Sequence, residues 1–302
     1  MNNLILNIAN YRIKIKSLDY DLDPRKRFRN FIEPNYPAAT RIGGLTVDIR
    51  VYYGTPDLPY GAECVFHAPF IEETDGHRTE KNPEFWSIWK NNDDLFIKTS
   101  FPLSKGNKKA LLKFSFDSKE WHLYIDSCNE KCIDPLEYPL DGLVLYYLSV
   151  IKGDIMIHAS GVNHKGKGYA FSGVSGKGKT TMSALWKKAG ATIIHDDRLI
   201  LRKTAEGFRM YNTPVYDDEE PVHSGIDSIF IIEHGRENTL SRLEGAYAAS
   251  ALLANCIQHN WSREIISGLL QSATGLCSEV PVYALSFKPD TSVIDQIVHE
   301  LT

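Results

Sequence analysis

Apolar and polar residues alternate with period two through most of the first 126 positions. The segments RIKIKS (12–17), LTVDIRVYY (45–53), LFIKTSF (95–101), LLKFSF (111–116) and EWHLYID (120–126) carry this rhythm. It places every second side chain on one face, as half-buried antiparallel strands require. Turn-formers lie between the segments at Gly54-Thr55-Pro56, Asn91-Asn92-Asp93-Asp94 and Lys105-Gly106-Asn107. The start, MNNLILNIANYRIKIKS, has a short apolar run but neither a basic beginning nor a small-residue cleavage site. It reads as a first strand and not as a signal peptide. The aromatic group Phe85, Trp86 and Trp89 reads as core or cross-strand packing within a sheet.

The rhythm changes near Pro135. PLEYPLDGLVLYYLSVIKG has apolar residues at helical spacing, with Asp141 in an early turn and Gly153 as a stop. IMIHASGVNHKGKGYAF then reads as a strand, a short hairpin and a second strand, followed by a Gly-rich loop. A helix is expected over 182–189, and ATIIHDD reads as the next strand. That succession predicts an α/β core behind a β-rich first half, with the boundary near residue 134 or 150 and domains taken as 1–134 and 135–302. No internal repeat or low-complexity segment interrupts either half.

The Gly-rich loop carries the chemistry. Gly173-Val174-Ser175-Gly176-Lys177-Gly178-Lys179-Thr180 fits G-x-x-x-x-G-K-[ST] without a mismatch. Glycines let consecutive backbone N–H groups turn inward as an anion nest, where a Cβ would obstruct phosphates. Lys179 can reach the β- and γ-phosphates, and the Thr180 hydroxyl can ligate magnesium. The following helix, just after the candidate phosphate-binding Thr181, adds its positive end to the same site. Lys177 either contacts phosphate or faces solvent.

His195-Asp196-Asp197-Arg198 ends the apolar run ATII. P-loop proteins place a magnesium-binding carboxylate at the end of a neighbouring strand. Successive strand residues point to opposite sides, so Asp196 and Asp197 share a site only if the strand is already ending. In that case one can hold magnesium and the other accept a proton from an attacking hydroxyl. The alternative is that one Asp caps a turn and a single carboxylate is functional. His158, in MIHASG, follows a strand just before the loop strand and is either a site residue or a structural one.

Composition narrows the partners. The 302 residues carry a formal net charge of −4, with 43% hydrophobic and 24% charged residues, the profile of an ordinary globular chain. Nothing there points to a nucleic-acid binder, and the basic run RKRFR (25–29) reads as a solvated loop. No stretch approaches the roughly 18 to 20 apolar residues of a membrane helix. The five cysteines, Cys64, Cys128, Cys132, Cys256 and Cys277, form no regular framework, so reduced thiols and a cytoplasmic location are expected. Cys128 and Cys132 with His122 fall short of four ligands at metal spacing.

The run IMIHASGV…GKGYAFSGVSGKGKTTMSALWKKAGATIIHDDRLIL resembles the C-terminal catalytic domain of HPr kinase/phosphorylase and its relatives. These belong with the phosphoenolpyruvate-carboxykinase-like P-loop proteins, so the resemblance implies a P-loop domain with a mixed sheet. In that family a His-bearing strand precedes a hairpin, the P-loop, a helix and a strand ending in Asp-Asp-Arg. FRMYNTPVYDDEE, IDSIFIIEHGRENTLSRL, LLANCIQ and VPVYALSFKPD resemble a subgroup found beside peptide-modification systems. The likeness spans about 136 to the C-terminus. The first half does not resemble the usual N-terminal domain of HPr kinase, and VYDDEEPVHSGIDSI lacks the signature of the bifunctional enzymes. Neither a carrier-protein substrate nor phosphorolysis is therefore implied.

What the resemblance implies is Asp196 as catalytic base, Asp197 on the metal side with Thr180, and His158 in the site. Arg236 and Arg242 become candidates for a charge-stabilising arginine or remain surface residues. Glu219 and Glu220 are either metal ligands or solvated loop acids. The expected activity is a kinase that uses a nucleotide, ATP or GTP, and Mg2+ to phosphorylate a hydroxyl, a serine of a protein or peptide, with the β-rich half recognising the acceptor. A non-catalytic nucleotide-binding partner subunit and a small-molecule kinase acting on free serine or a sugar are the alternatives. The resemblance also suggests a homo-oligomer.

Overall fold

The alternating segments build one sheet. A computed structural model of the chain describes residues 2–33, 44–74, 77–101, 108–127 and 130–301. The expected turn at 105–107 and Cys128 lie outside the described residues. The first strands are β1 (Asn3–Ile8), β2 (Tyr11–Ser17), β3 (Asp21–Leu22), β4 (Thr46–Tyr53) and β5 (Glu63–Thr74). They are followed by β6 (His77–Asn91), β7 (Asp94–Ser100), β8 (Lys109–Phe114), β9 (Glu120–Asp126) and β10 (Cys132–Ile133). Eight of them form a sheet in the order β1-β2-β4-β9-β8-β7-β6-β5, and β10 pairs with β3.

The period-two pattern is realised closely. Ile13, Ile15, Val47, Ile49, Val51, Trp121, Leu123 and Ile125 are buried, and the residues between them face away from that core. Strand direction departs from the antiparallel expectation, because β2–β4 and β4–β9 run parallel. Alternation decides which face is buried and is silent on direction. Parallel neighbours need a crossover. That between β2 and β4 contains a 3-10 helix over Lys26–Phe31, which buries Phe28 and Phe31.

The chain folds as two compact units. The first holds the chain up to Leu148, with Tyr216–Glu219 and His259–Trp261. The division falls after Leu148, so residues 135–148 lie in this first unit, close to the later of the two expected boundaries. Helix α1 (Leu140–Lys152) accounts for much of that, since Tyr147 packs on Phe114 with ring centroids 4.8 Å apart. His259 is enclosed here by Trp86, Tyr146 and Phe66. Its backbone N–H donates to the Tyr146 hydroxyl at 3.1 Å.

Burial lowers the His259 pKa to about 3, so the ring is held neutral. Between that value and the ordinary histidine value the unfolded chain binds the extra proton, and stability falls as pH falls. This single group is expected to remove up to about 1.4 kcal/mol per pH unit below about 6.5. His259→Phe should flatten that part of the profile, read as urea midpoints at pH 7 and pH 5. An unchanged slope in the variant would assign the acid sensitivity elsewhere.

The second unit holds Ser149–Val215, Glu220–Gln258 and the chain from Ser262. Its strands are β11 (Ile155–His164), β12 (Lys167–Ser172), β13 (Thr192–His195), β14 (Arg198–Thr204), β15 (Gly207–Asn212), β16 (His223–Gly225), β17 (Ser228–His234), β18 (Thr239–Leu243) and β19 (Val282–Phe287). They form a nine-stranded sheet in the order β16-β15-β14-β11-β12-β17-β19-β18, with β13 also on β11. The β12–β17 and β17–β19 pairs are parallel and the others antiparallel. Helices are α2 (Lys179–Lys188), α3 (Gly245–Leu253), α4 (Arg263–Glu279) and α5 (Ser292–Leu301).

Neighbouring residues of β12 and β17 enter opposite cores, as the pleat demands. Phe171 and Phe230 pack with Met182 and Trp186 of α2 and Ile297 of α5. Ala170 and Ile229 pack with Leu252 of α3 and Leu276 of α4. Both units mix strand directions and contain few helices, an α+β arrangement. No helix among the described residues is long and apolar enough to cross a membrane.

Candidate active site

Strand β12 is buried from Gly168 to its last residue, Ser172, whose hydroxyl donates to the carbonyl of His158 on β11 at 2.8 Å. The glycine loop leaves the sheet at this point. Gly176 and Gly178 have φ of 80° and 96°, a left-handed conformation that a side chain would strain. Gly178 is the N-cap of α2 and no side chain caps the helix, so the loop backbone opens directly into its positive end. A Cβ on Gly178 would lie 2.7 Å from both the His234 ring and the Phe287 ring. Gly178→Ala combines that clash with an unfavourable φ. It is expected to displace the loop and weaken ATP binding by about tenfold or more, at a cost of roughly 1–3 kcal/mol. Isothermal titration with ATP checks this, and wild-type affinity in the variant would refute it.

Lys179 opens α2, and its ammonium donates to the carbonyls of Gly173 at 2.7 Å and Val174 at 3.4 Å. Burial lowers its pKa, and the Asp197 carboxylate opposes that shift. Val174, Ser175, Gly176 and Thr180 are exposed, whereas Lys177, Gly178 and Thr181 are half-buried. The Lys177 N–H donates to the Val174 carbonyl at 3.2 Å, closing a turn within the loop.

The aspartates occupy the bend between β13, which ends at His195, and β14, which begins at Arg198. The strand has ended before the pair, the condition under which two successive carboxylates need not point apart. His195 makes this bend. It is buried, and its Nδ1 accepts the N–H groups of Asp197 and Arg198, each at 3.0 Å. A nitrogen that accepts two N–H bonds carries no proton, so this geometry specifies the Nε2–H tautomer. The Asp197 carbonyl accepts from Ala159 N at 3.1 Å, fixing the bend to β11. Thr213 clasps the next residue: its Oγ1 accepts from Arg198 Nε at 3.1 Å and donates to the Arg198 carbonyl at 3.2 Å.

His158 stands opposite Arg198 on β11, with Nδ1 4.0 Å from Asp197 Oδ1. Burial lowers its pKa, Asp197 raises it, and Arg198 and Lys179 lower it further; the net shift favours a neutral ring. The side chains of His158 and Asp197 remain 56% and 42% exposed, open to a ligand. Lys179, His158 and Asp197 thus sense one another electrostatically, with Asp196 in the same bend.

The remaining candidates occupy other elements. Arg242 is on edge strand β18, three strands from β12, and faces Glu244 at 3.6 Å. Arg236 is exposed in the bend after β17. Glu219 accepts from the Tyr216 N–H at 3.0 Å, and the Glu220 carbonyl accepts from Asn212 Nδ2 at 2.8 Å. Sequence reasoning passed over His195 and His234. His195 was legible as the residue before the aspartates, whereas His234 has no local signal and reaches the loop through the β12–β17 pairing.

Among the described residues, no three His, Cys, Asp or Glu side chains gather as a metal cage. Hard oxygens of Asp197 and Thr180 suit magnesium, which takes few protein ligands and completes its shell with water and phosphate oxygens.

No family model matches the chain, and no curated protein matches it. A solved structure, the Hpr(Ser) kinase/phosphatase from Coxiella burnetii, overlaps 48% of this chain and 94% of that one, at 11% identity and a TM-score of 0.30. The residues of the site therefore carry the functional reading by themselves.

Proposed function

We propose that the protein is an ATP- and magnesium-dependent kinase that transfers the γ-phosphoryl group to a hydroxyl, a serine of a protein or peptide, on a phosphoenolpyruvate-carboxykinase-like P-loop domain. The observation that carries this reading is the aspartate bend fixed to β11, whose Asp197 carboxylate acts electrostatically on Lys179 of the loop. A loop that only held a nucleotide would have no need of two carboxylates at that place.

In this reading the loop N–H groups from Gly173 to Lys179 and the α2 N-terminus bind the phosphates. Lys179 leaves its carbonyl partners for the β- and γ-phosphate oxygens. Magnesium, when bound, would neutralise phosphate charge, held by Asp197 and Thr180. Asp196 accepts the proton of the acceptor hydroxyl as its oxygen bonds to the γ-phosphorus and the bond to the β–γ bridging oxygen breaks, releasing ADP. His158, neutral and beside Asp197, orients that carboxylate without cancelling its charge. The first unit recognises the acceptor. Intact-mass measurement of serine-bearing peptides incubated with protein, ATP and magnesium tests the reading. One added phosphoryl group on serine supports it, and unmodified peptide with bound nucleotide would favour a binding module.

A further inference from the structure

The eight-stranded sheet carries a second feature that the kinase reading does not use. In the strand register, Lys16 lies opposite Arg50, Arg50 opposite His122, and His122 opposite Lys113. Directly opposed residues share a face, so four basic side chains stand in one row across the adjacent strands β2, β4, β9 and β8. At a strand spacing of about 4.8 Å the row is about 14 Å long. Lys16 and Arg50 are exposed, and His122 and Lys113 are half-buried.

Like charges set directly opposite each other across strands destabilise a sheet. Part of the charge here is met by acids: Arg50 pairs with Glu120 at 2.7 Å, His122 lies 3.5 Å from the same carboxylate, and Lys113 pairs with Asp94 at 2.7 Å, so the three row cations Lys16, Arg50 and Lys113 meet two carboxylates. Such solvent-facing pairs contribute little net stability. One register step to one side, Tyr52 stacks on Tyr124 with ring centroids 5.1 Å apart, and Tyr52 also stacks on His122 at 5.8 Å. One step to the other side, Lys14 pairs with Asp48 at 3.5 Å. A cleft of about 720 Å³ opens over this region, with Lys14, Lys16, Arg50, Tyr52 and Glu120 in its wall.

We infer that this face is a docking site for an extended acidic peptide segment whose carboxylates bridge Lys16 and Arg50 and whose apolar side chains pack on Tyr52 and Tyr124. Charge complementarity selects the occupant. The row presents a surplus of positive charge, yet Asp48 and Glu120 lie one register step away. A uniformly charged phosphate backbone would meet those carboxylates at each crossing. A peptide offers carboxylates to the basic row, N–H donors to Asp48 and Glu120, and apolar groups to the tyrosines. About four extended residues, at roughly 3.3 Å each, span the row. The inference stands whether or not the second unit transfers phosphate.

Fluorescence anisotropy of the full chain with a fluorescein-labelled peptide of alternating Glu and Leu tests it. Binding is expected to fall with added salt and to weaken by about tenfold or more in a Lys16→Gln/Arg50→Gln variant with a native circular-dichroism spectrum. Glu120→Gln frees Arg50 and His122 and is expected to tighten binding, an outcome that a merely structural role for the row would not produce. Lys179→Met should leave it unchanged. Equal binding by the double variant, no binding by the native protein, or tighter binding of a single-stranded oligothymidylate than of the peptide would each overturn the inference.

Discussion

Asp196→Asn is expected to lower phosphoryl transfer by about a hundred- to ten-thousandfold, the range spanned by a positioned general base, while ATP affinity stays within about twofold. In the proposed mechanism the two effects separate, because the loop N–H groups and Lys179 hold the phosphates and this carboxylate takes the proton. The amide preserves shape and hydrogen-bonding capacity but cannot take the hydroxyl proton. The bend itself should survive, since it is held by His195 Nδ1 accepting two backbone N–H groups and by the Asp197 carbonyl on β11. Steady-state rates and titration calorimetry on the same preparation check both halves. Loss of ATP binding in step with rate would make Asp196 part of nucleotide binding instead.

Lys179→Met is the second large effect. The side chain donates to the Gly173 and Val174 carbonyls, so the ammonium is already held at the mouth of the loop. Removing a fixed positive group from a site where phosphate charge shifts toward the leaving oxygen costs about a hundred- to thousandfold in rate. ATP binding weakens too, in contrast with Asp196→Asn. The lowered pKa of this lysine adds a pH signature. Burial favours the neutral amine, so the protonated form is lost at a lower pH than for an ordinary lysine, and rate and affinity decline together on the alkaline side. Competing titration of ATP between pH 7 and pH 10 reads that decline. A flat binding profile would remove Lys179 from the phosphate contact.

Much of this arrangement is legible in the order of the residues. EWHLYID alternates without interruption and is β9, Glu120–Asp126, and the loop motif opens α2 at Lys179. What escapes a reading of the chain has physical causes. The long hairpin β5–β6 shifts register between Cys64 and Phe66 and on both sides of Phe70, so no period-two run survives to be read. The parallel β2–β4 and β4–β9 pairs leave no mark because burial alternates identically in either direction. Within the candidate site, Asp196 and Asp197 lie close in sequence to the glycine loop. His234 lies 56 residues after Gly178, and only the strand order places its ring there.

The central claim is that Lys179 and the aspartate bend together move a phosphoryl group instead of merely holding a nucleotide. The most direct measurement follows γ-labelled ATP, with magnesium, into serine-bearing peptides, free serine and water, using native protein and Asp196→Asn side by side. Label on a peptide serine with the native protein, lost in the variant while both still bind ATP, is the predicted result. Tight ATP binding with no label on any acceptor, or equal labelling by the variant, would contradict it.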